Sequence, residues 1–127
     1  MRFLTAPRLA VLALLALLTA CAHLDQPRDF VVYFQTDSAD LTPTAQQVVA
    51  TAASRAHDAS ASKILVAGRA DGSTAHDATL ADQRATMVMQ ALGKQGIPAA
   101  QIEKQADAPP ADRVGVAAHQ VVITLLP

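Results

Sequence analysis

The feature that most constrains this chain is a change of hydrophobic period along it. Phe30-Val31-Val32-Tyr33-Phe34 is an unbroken run of aromatic and β-branched residues, the pattern of a buried strand. A polar loop, Gln35 to Leu41, follows it. Apolar residues then recur at helical spacing, with Ala45, Val48, Val49, Ala52 and Ala56 on one face of a segment running to about His57. Thr42 precedes that segment as a predicted N-cap and Pro43 fills its first position. Lys63 to Gly68 reads as a second, central strand. A second helix is predicted over Ala78–Lys94, with Asp77 as its N-cap and an apolar face of Leu80 or Ala81, Ala85, Val88, and Ala91 or Leu92. Gly96 suits a left-handed helix end, and Pro98 blocks continuation. Ile102–Gln105 is a short strand, and Gln120–Leu126 is the last one. The order strand-helix-strand-helix-strand-strand makes an α+β domain. Its two crossovers favour parallel neighbours, and its last strands favour antiparallel pairing.

The first residues have a different character. Arg2 and Arg8 are the only charges before Leu9–Ala20, a run of twelve residues built from Leu, Ala, Val and one Thr. A helix of that length reaches roughly 18 Å, short of the ~30 Å hydrocarbon core of a bilayer. The run therefore reads as a signal-peptide core over residues 1–20. Its end, Leu18-Thr19-Ala20-Cys21, resembles a bacterial lipobox. That resemblance implies cleavage before Cys21 and acylation of its thiol and of the new amine, which would anchor the mature chain in a membrane. Ala22 follows the cysteine instead of an Asp, which by the same resemblance implies the outer membrane and its periplasmic face. Residues 21–28 then form a short tether, reaching at most ~25 Å, and residues 29–127 form the domain.

Composition narrows the function. The chain of 127 residues has a formal net charge of −1, so it lacks the basic surface that nucleic acid requires. Aromatic residues make up 3%, too few for a stacking platform. The lone cysteine excludes an internal disulfide or a multi-cysteine metal site. His23, His57, His76 and His119 show no helical ligand spacing, and no Gly-x-Ser-x-Gly elbow occurs. The expected protein is therefore not an enzyme and carries no cofactor or metal.

Four short stretches, in order, carry a further resemblance. The first is Val32-Tyr33-Phe34 leading through Asp37-Ser38-Ala39-Asp40 to Leu41-Thr42-Pro43. The second is Gly68-Arg69-Ala70-Asp71, the third Leu80-Ala81-Asp82-Gln83-Arg84-Ala85, and the fourth Leu92 with Gly96-Ile97 four residues on. Together they resemble the OmpA-like C-terminal domain, the peptidoglycan-binding module also found in the peptidoglycan-associated lipoprotein. The resemblance covers roughly Asp29 to Leu125 and implies a two-layer β-α-β-α-β-β sandwich, a mixed sheet with two helices on one face.

It also implies a ligand, the diaminopimelate side chain of peptidoglycan stem peptides, which ends in an ammonium and a carboxylate. By the family's pattern Asp71 would accept from the ammonium, and Arg84 would hold the carboxylate through its planar fork. Asp37, Asp77 and Arg69 complete the expected binding set. As an exposed ion pair, Asp71 and Arg84 would contribute little to stability, so removing either is expected to leave the fold unchanged. Where the family has Asn-Arg-Arg before the last strand, this chain has Ala118-His119-Gln120, which predicts weaker binding than in typical members. The implied function is an outer-membrane lipoprotein that links membrane to cell wall. The alternative is an adaptor on the same fold that binds an envelope protein and not the wall.

Overall fold

A computed structural model describes residues 28–69, 75–105 and 119–127. Four strands and two helices follow one another as β1 (Asp29–Tyr33), α1 (Pro43–Asp58), β2 (Lys63–Gly68), α2 (Ala75–Lys94), β3 (Ile102–Lys104) and β4 (Gln120–Leu126). A single 3-10 turn, Ala99–Gln101, leads into β3. The mixed α+β sheet and its two helices match the expected fold class.

The sheet order is β1-β4-β2-β3. β2 and β3 pair in parallel, and β4 is antiparallel to both β1 and β2. This corrects the expectation of parallel neighbours at both crossovers. β2 and β3 are the parallel neighbours the second crossover predicts, but β1 and β2, which run the same way, are separated by β4. β4 does not pair with β3, so the expected antiparallel pairing of the last two strands is not formed either. The physical reason is burial. Val121, Ile123 and Leu125 of β4 are all buried, so the most apolar strand takes an interior position with a ladder on each side.

Burial alternates along β4, the period-2 signature of a sheet packed on one face. The packed face carries Val32, Ile64, Val66, Val121, Ile123 and Leu125, and both helices lie against it. α1 contributes Ala45, Val49, Ala52, Ala53 and Ala56, and α2 contributes Ala85, Val88 and Leu92. The many alanines bring the helix backbones close to the sheet.

Local chemistry sets the ends of the elements. The Thr42 hydroxyl accepts from the Ala45 N–H at 3.1 Å, and Pro43 stands at the start of α1, as the sequence predicts. Gly96 has φ +89° after α2, and the Ile97 N–H reaches back to the Leu92 carbonyl at 3.2 Å. That six-residue closure is the Schellman motif, in which a left-handed glycine satisfies late helix carbonyls. α2 begins earlier than expected, at Ala75, so Asp77 is not an N-cap but a carboxylate inside the first turn. There it faces the positive end of the helix dipole.

Candidate functional site

The C-terminal ends of β1, β2 and β3 and the N-terminal end of β4 lie together, because Tyr33 pairs with Gln120 and Gly68 with Val121. Two main-chain bonds knit this end. The Phe34 N–H donates to the His119 carbonyl at 2.8 Å, and the Arg69 N–H donates to the Gln120 carbonyl at 3.0 Å. The loop after β1, the loop after β2 and the start of α2 all open here.

Gly68 explains how α2 comes so near. A Cβ at this position would collide with the main-chain oxygen of Ala81 and stand 3.4 Å from the Ala85 Cβ. Only glycine lets the first half of α2 lie directly on the end of β2. The helix then delivers Arg84, one turn after Leu80, over the end of the sheet.

Arg84 is 2% exposed and is the sole buried charged residue among those described. Its Nε donates to the Ser38 carbonyl at 2.7 Å and its Nη2 to the Gln35 carbonyl at 2.9 Å. Its guanidinium carbon lies 5.4 Å from the centre of the Phe34 ring, within cation–π range. Burial pushes its pKa below the usual guanidinium value, while Asp37 and Asp77 push it back up. It stays a cation at any working pH, because a guanidinium in a protein does not give up its proton.

This overturns the expectation of an exposed ion pair at Arg84. The side chain is a buried fork that clamps the loop after β1 by two carbonyls. Two of its five donors serve that purpose. The clamped loop is itself a tight turn: the Ser38 N–H donates to the Gln35 carbonyl at 3.2 Å, and Asp37 takes φ +55°. An N–H bond from the fourth residue and a positive φ at the third are the marks of a type II turn. Aspartate tolerates this conformation better than most side chains.

The remaining predicted residues are placed as follows. Asp37 is exposed, and its Oδ1 is 3.8 Å from the His76 Nε2 across the site end. Asp77, half-buried in the first turn of α2, is close enough to Arg84 to act on it electrostatically. Arg69 follows directly after β2 and is fixed by its main chain to Gln120. Asp71 and Cys21 lie outside the described residues, as do the leader, most of the tether and Ala118. The structure therefore brings Arg84, Asp37 and Asp77 together at one end of the sheet and leaves Asp71 undescribed. Sequence reasoning missed Phe34, His76 and the Gln35 and Ser38 carbonyls as members of this cluster. The loop's length and the Phe34 run were visible, but nothing local marks a carbonyl as a partner for an arginine more than forty residues away. No group of three His, Cys, Asp or Glu that could hold a metal ion lies together among the described residues.

Comparisons with solved structures agree with this architecture. The OmpA-like domain of FopA1 from Francisella tularensis matches with a TM-score of 0.65 at 16% identity, over 80% of this chain and 79% of that one. The cell wall anchor of the T6SS from Pseudomonas aeruginosa matches with a TM-score of 0.62 at 19% identity, over 77% and 80%. The peptidoglycan-associated lipoprotein from Burkholderia pseudomallei matches with a TM-score of 0.58 at 24% identity, over 76% and 88%. At these identities the likeness is one of fold. No curated protein sequence matches the chain. The sequence profile of the OmpA family, however, matches residues 33–120, from the end of β1 to the start of β4, and so spans every segment that builds this site. With fold, loop order and profile in agreement, the chain belongs to the OmpA family.

Proposed function

We propose that the chain is a non-catalytic outer-membrane lipoprotein whose periplasmic domain binds peptidoglycan through diaminopimelate and so links membrane to cell wall. The observation that supports this most is the buried Arg84 fork, clamped between Phe34 and the loop after β1 with Asp37 and Asp77 beside it. A ligand that carries an ammonium and a carboxylate on one carbon needs a fixed cation with anions close by. In this reading the Arg84 donors not spent on the loop take the ligand carboxylate, in a geometry lysine lacks. Asp71 takes the ammonium, with Asp37 and Asp77 adding negative potential and Arg69 flanking the site. Residues 1–20 act as the signal peptide, and residues 21–28 tether the domain, residues 29–127, to acylated Cys21. The tether enters at Asp29, the opposite end of β1 from the site.

Ala118-His119-Gln120 favours the second reading, an adaptor for an envelope protein, because two cations and an amide of the family's pattern are missing from the site end. Titration with a muropeptide containing diaminopimelate, paired with sedimentation on purified peptidoglycan, separates the two. Binding that weakens in Arg84→Lys and in Asp71→Ala is expected. No binding by the unaltered chain would move the assignment to the adaptor, and binding unchanged in both variants would put the ligand elsewhere.

A further inference from the structure

The two edges of the sheet are unlike. β3 is three residues long, and ion pairs guard it on both faces, Lys63 with Glu103 at 2.7 Å and Lys104 with Asp82. Short, charged strands are how proteins keep an edge from pairing with another chain. β1 is five residues long, and its only charge, Asp29, accepts a hydrogen bond from the Thr124 hydroxyl at 2.8 Å. The ladder to β4 runs through alternate residues. The Leu125 N–H meets the Arg28 carbonyl and the Phe34 N–H meets the His119 carbonyl, so Arg28, Phe30, Val32 and Phe34 face β4. The main-chain groups of Asp29, Val31 and Tyr33 therefore point outward, and among the described residues no strand pairs with them.

Beside this edge lies a cavity of about 240 Å³, walled by Val31, Tyr33 and Phe34 on one side and by Thr44, Ala45 and Val48 of α1 on the other. Tyr33 is 54% exposed, the one large hydrophobic residue so exposed among those described. The helix continues the same character, since Pro43 to Ser54 contains no charged residue at all. An exposed helix face normally carries charges of both signs. Apart from Asp29, edge, groove and helix thus form one surface without charge.

We infer that this surface is an interface between two copies of the chain, joined β1 to β1 in antiparallel fashion about a two-fold axis at Val31. The register is self-complementary. With Val31 opposite its own copy, Asp29 falls opposite Tyr33, so all three outward-facing residues meet outward-facing partners. A symmetric pair closes after two copies. Charge agrees with this occupant. Arg28 stands at one end of β1, and the acidic loop with Asp37 and Asp40 follows the other end. Antiparallel pairing brings each Arg28 opposite Phe34 of the second copy, beside that loop, and does so twice. The two α1 helices then flank the new ladder on the same face, meeting through Thr44, Gln47, Val48 and Thr51. The result is one eight-stranded sheet, with the two Arg28 residues at opposite ends of the paired strands.

The test uses the full chain in bacterial envelopes, with a photo-cross-linking phenylalanine analogue at Tyr33 or, as the comparison, at Glu103 on the other edge. Two differently tagged copies are produced together. Irradiation is expected to join the two tags from position 33 and not from position 103. Val31→Pro removes an outward donor while leaving the bonds to β4 intact, and it should abolish the product. Thr44→Lys, on the exposed surface of α1, should reduce it without altering the fold, and Arg28→Asp should reduce it too. Equal joining from both positions, a product containing only some other protein, or joining that survives both Val31→Pro and Thr44→Lys would overturn the inference.

Discussion

Removing the Arg84 fork should cost stability as well as ligand. Arg84→Ala deletes two hydrogen bonds from a charged donor, at 2.7 and 2.9 Å, each contributing ~1.5–3 kcal/mol. It also deletes the contact over Phe34, about 0.5–2 kcal/mol. Against this, the fold no longer buries a cation, a penalty of several kcal/mol that offsets part of the loss. The expected net destabilisation is about 2–4 kcal/mol, a large fraction of the ~5–15 kcal/mol that holds a typical domain together. With an ordinary urea dependence the midpoint should fall by about 1–2 M. The measurement is a urea titration followed by far-ultraviolet circular dichroism and by the fluorescence of Tyr33, the only tyrosine. Arg84→Lys keeps the charge but not the fork, so its midpoint should fall between those of Ala and the unaltered chain. A change within ~0.5 kcal/mol for Arg84→Ala, the size of an ordinary surface effect, would refute the clamp and restore the reading of an exposed pair.

Four further outcomes are expected. Gly68→Ala should destabilise by about 1–3 kcal/mol, because its Cβ would push α2 off β2; a midpoint equal to that of the unaltered chain would mean the close approach is not required. Thr42→Ala should cost about 0.5–2 kcal/mol through loss of the cap on α1, read in the same titration. Cys21→Ser should move the chain from the detergent phase to the aqueous phase after processing, and identical partition of the two forms would refute the lipid anchor. Replacing Ala118-His119-Gln120 by Asn-Arg-Arg should tighten muropeptide binding, and an unchanged affinity would show that the missing cations are not what limits it.

The division of labour between sequence and tertiary structure follows the range of the forces involved. Periodicity and capping act within a few residues. Thr42-Pro43, the apolar face of α1, the Gly96 stop and the strand Gln120–Leu126 were therefore legible without coordinates. The family's motif placed Arg84 and Asp37 in one site for the same reason, since each sits in a short recognisable stretch. Even the start of α2 went astray by only three residues, with Asp77 inside the first turn instead of before it. What the sequence could not decide was pairing across the chain. Any of several strands could have neighboured β1, and only the competition for burial put β4 there. The state of Arg84 is the same kind of fact. A surface arginine and a buried one look alike in a helix, and its partners are carbonyls 46 and 49 residues away, which carry no side-chain signature. Packing α2 onto Gly68 desolvates the guanidinium, and a desolvated cation must find acceptors, so tertiary structure converts an ordinary helical arginine into the clamp of the site.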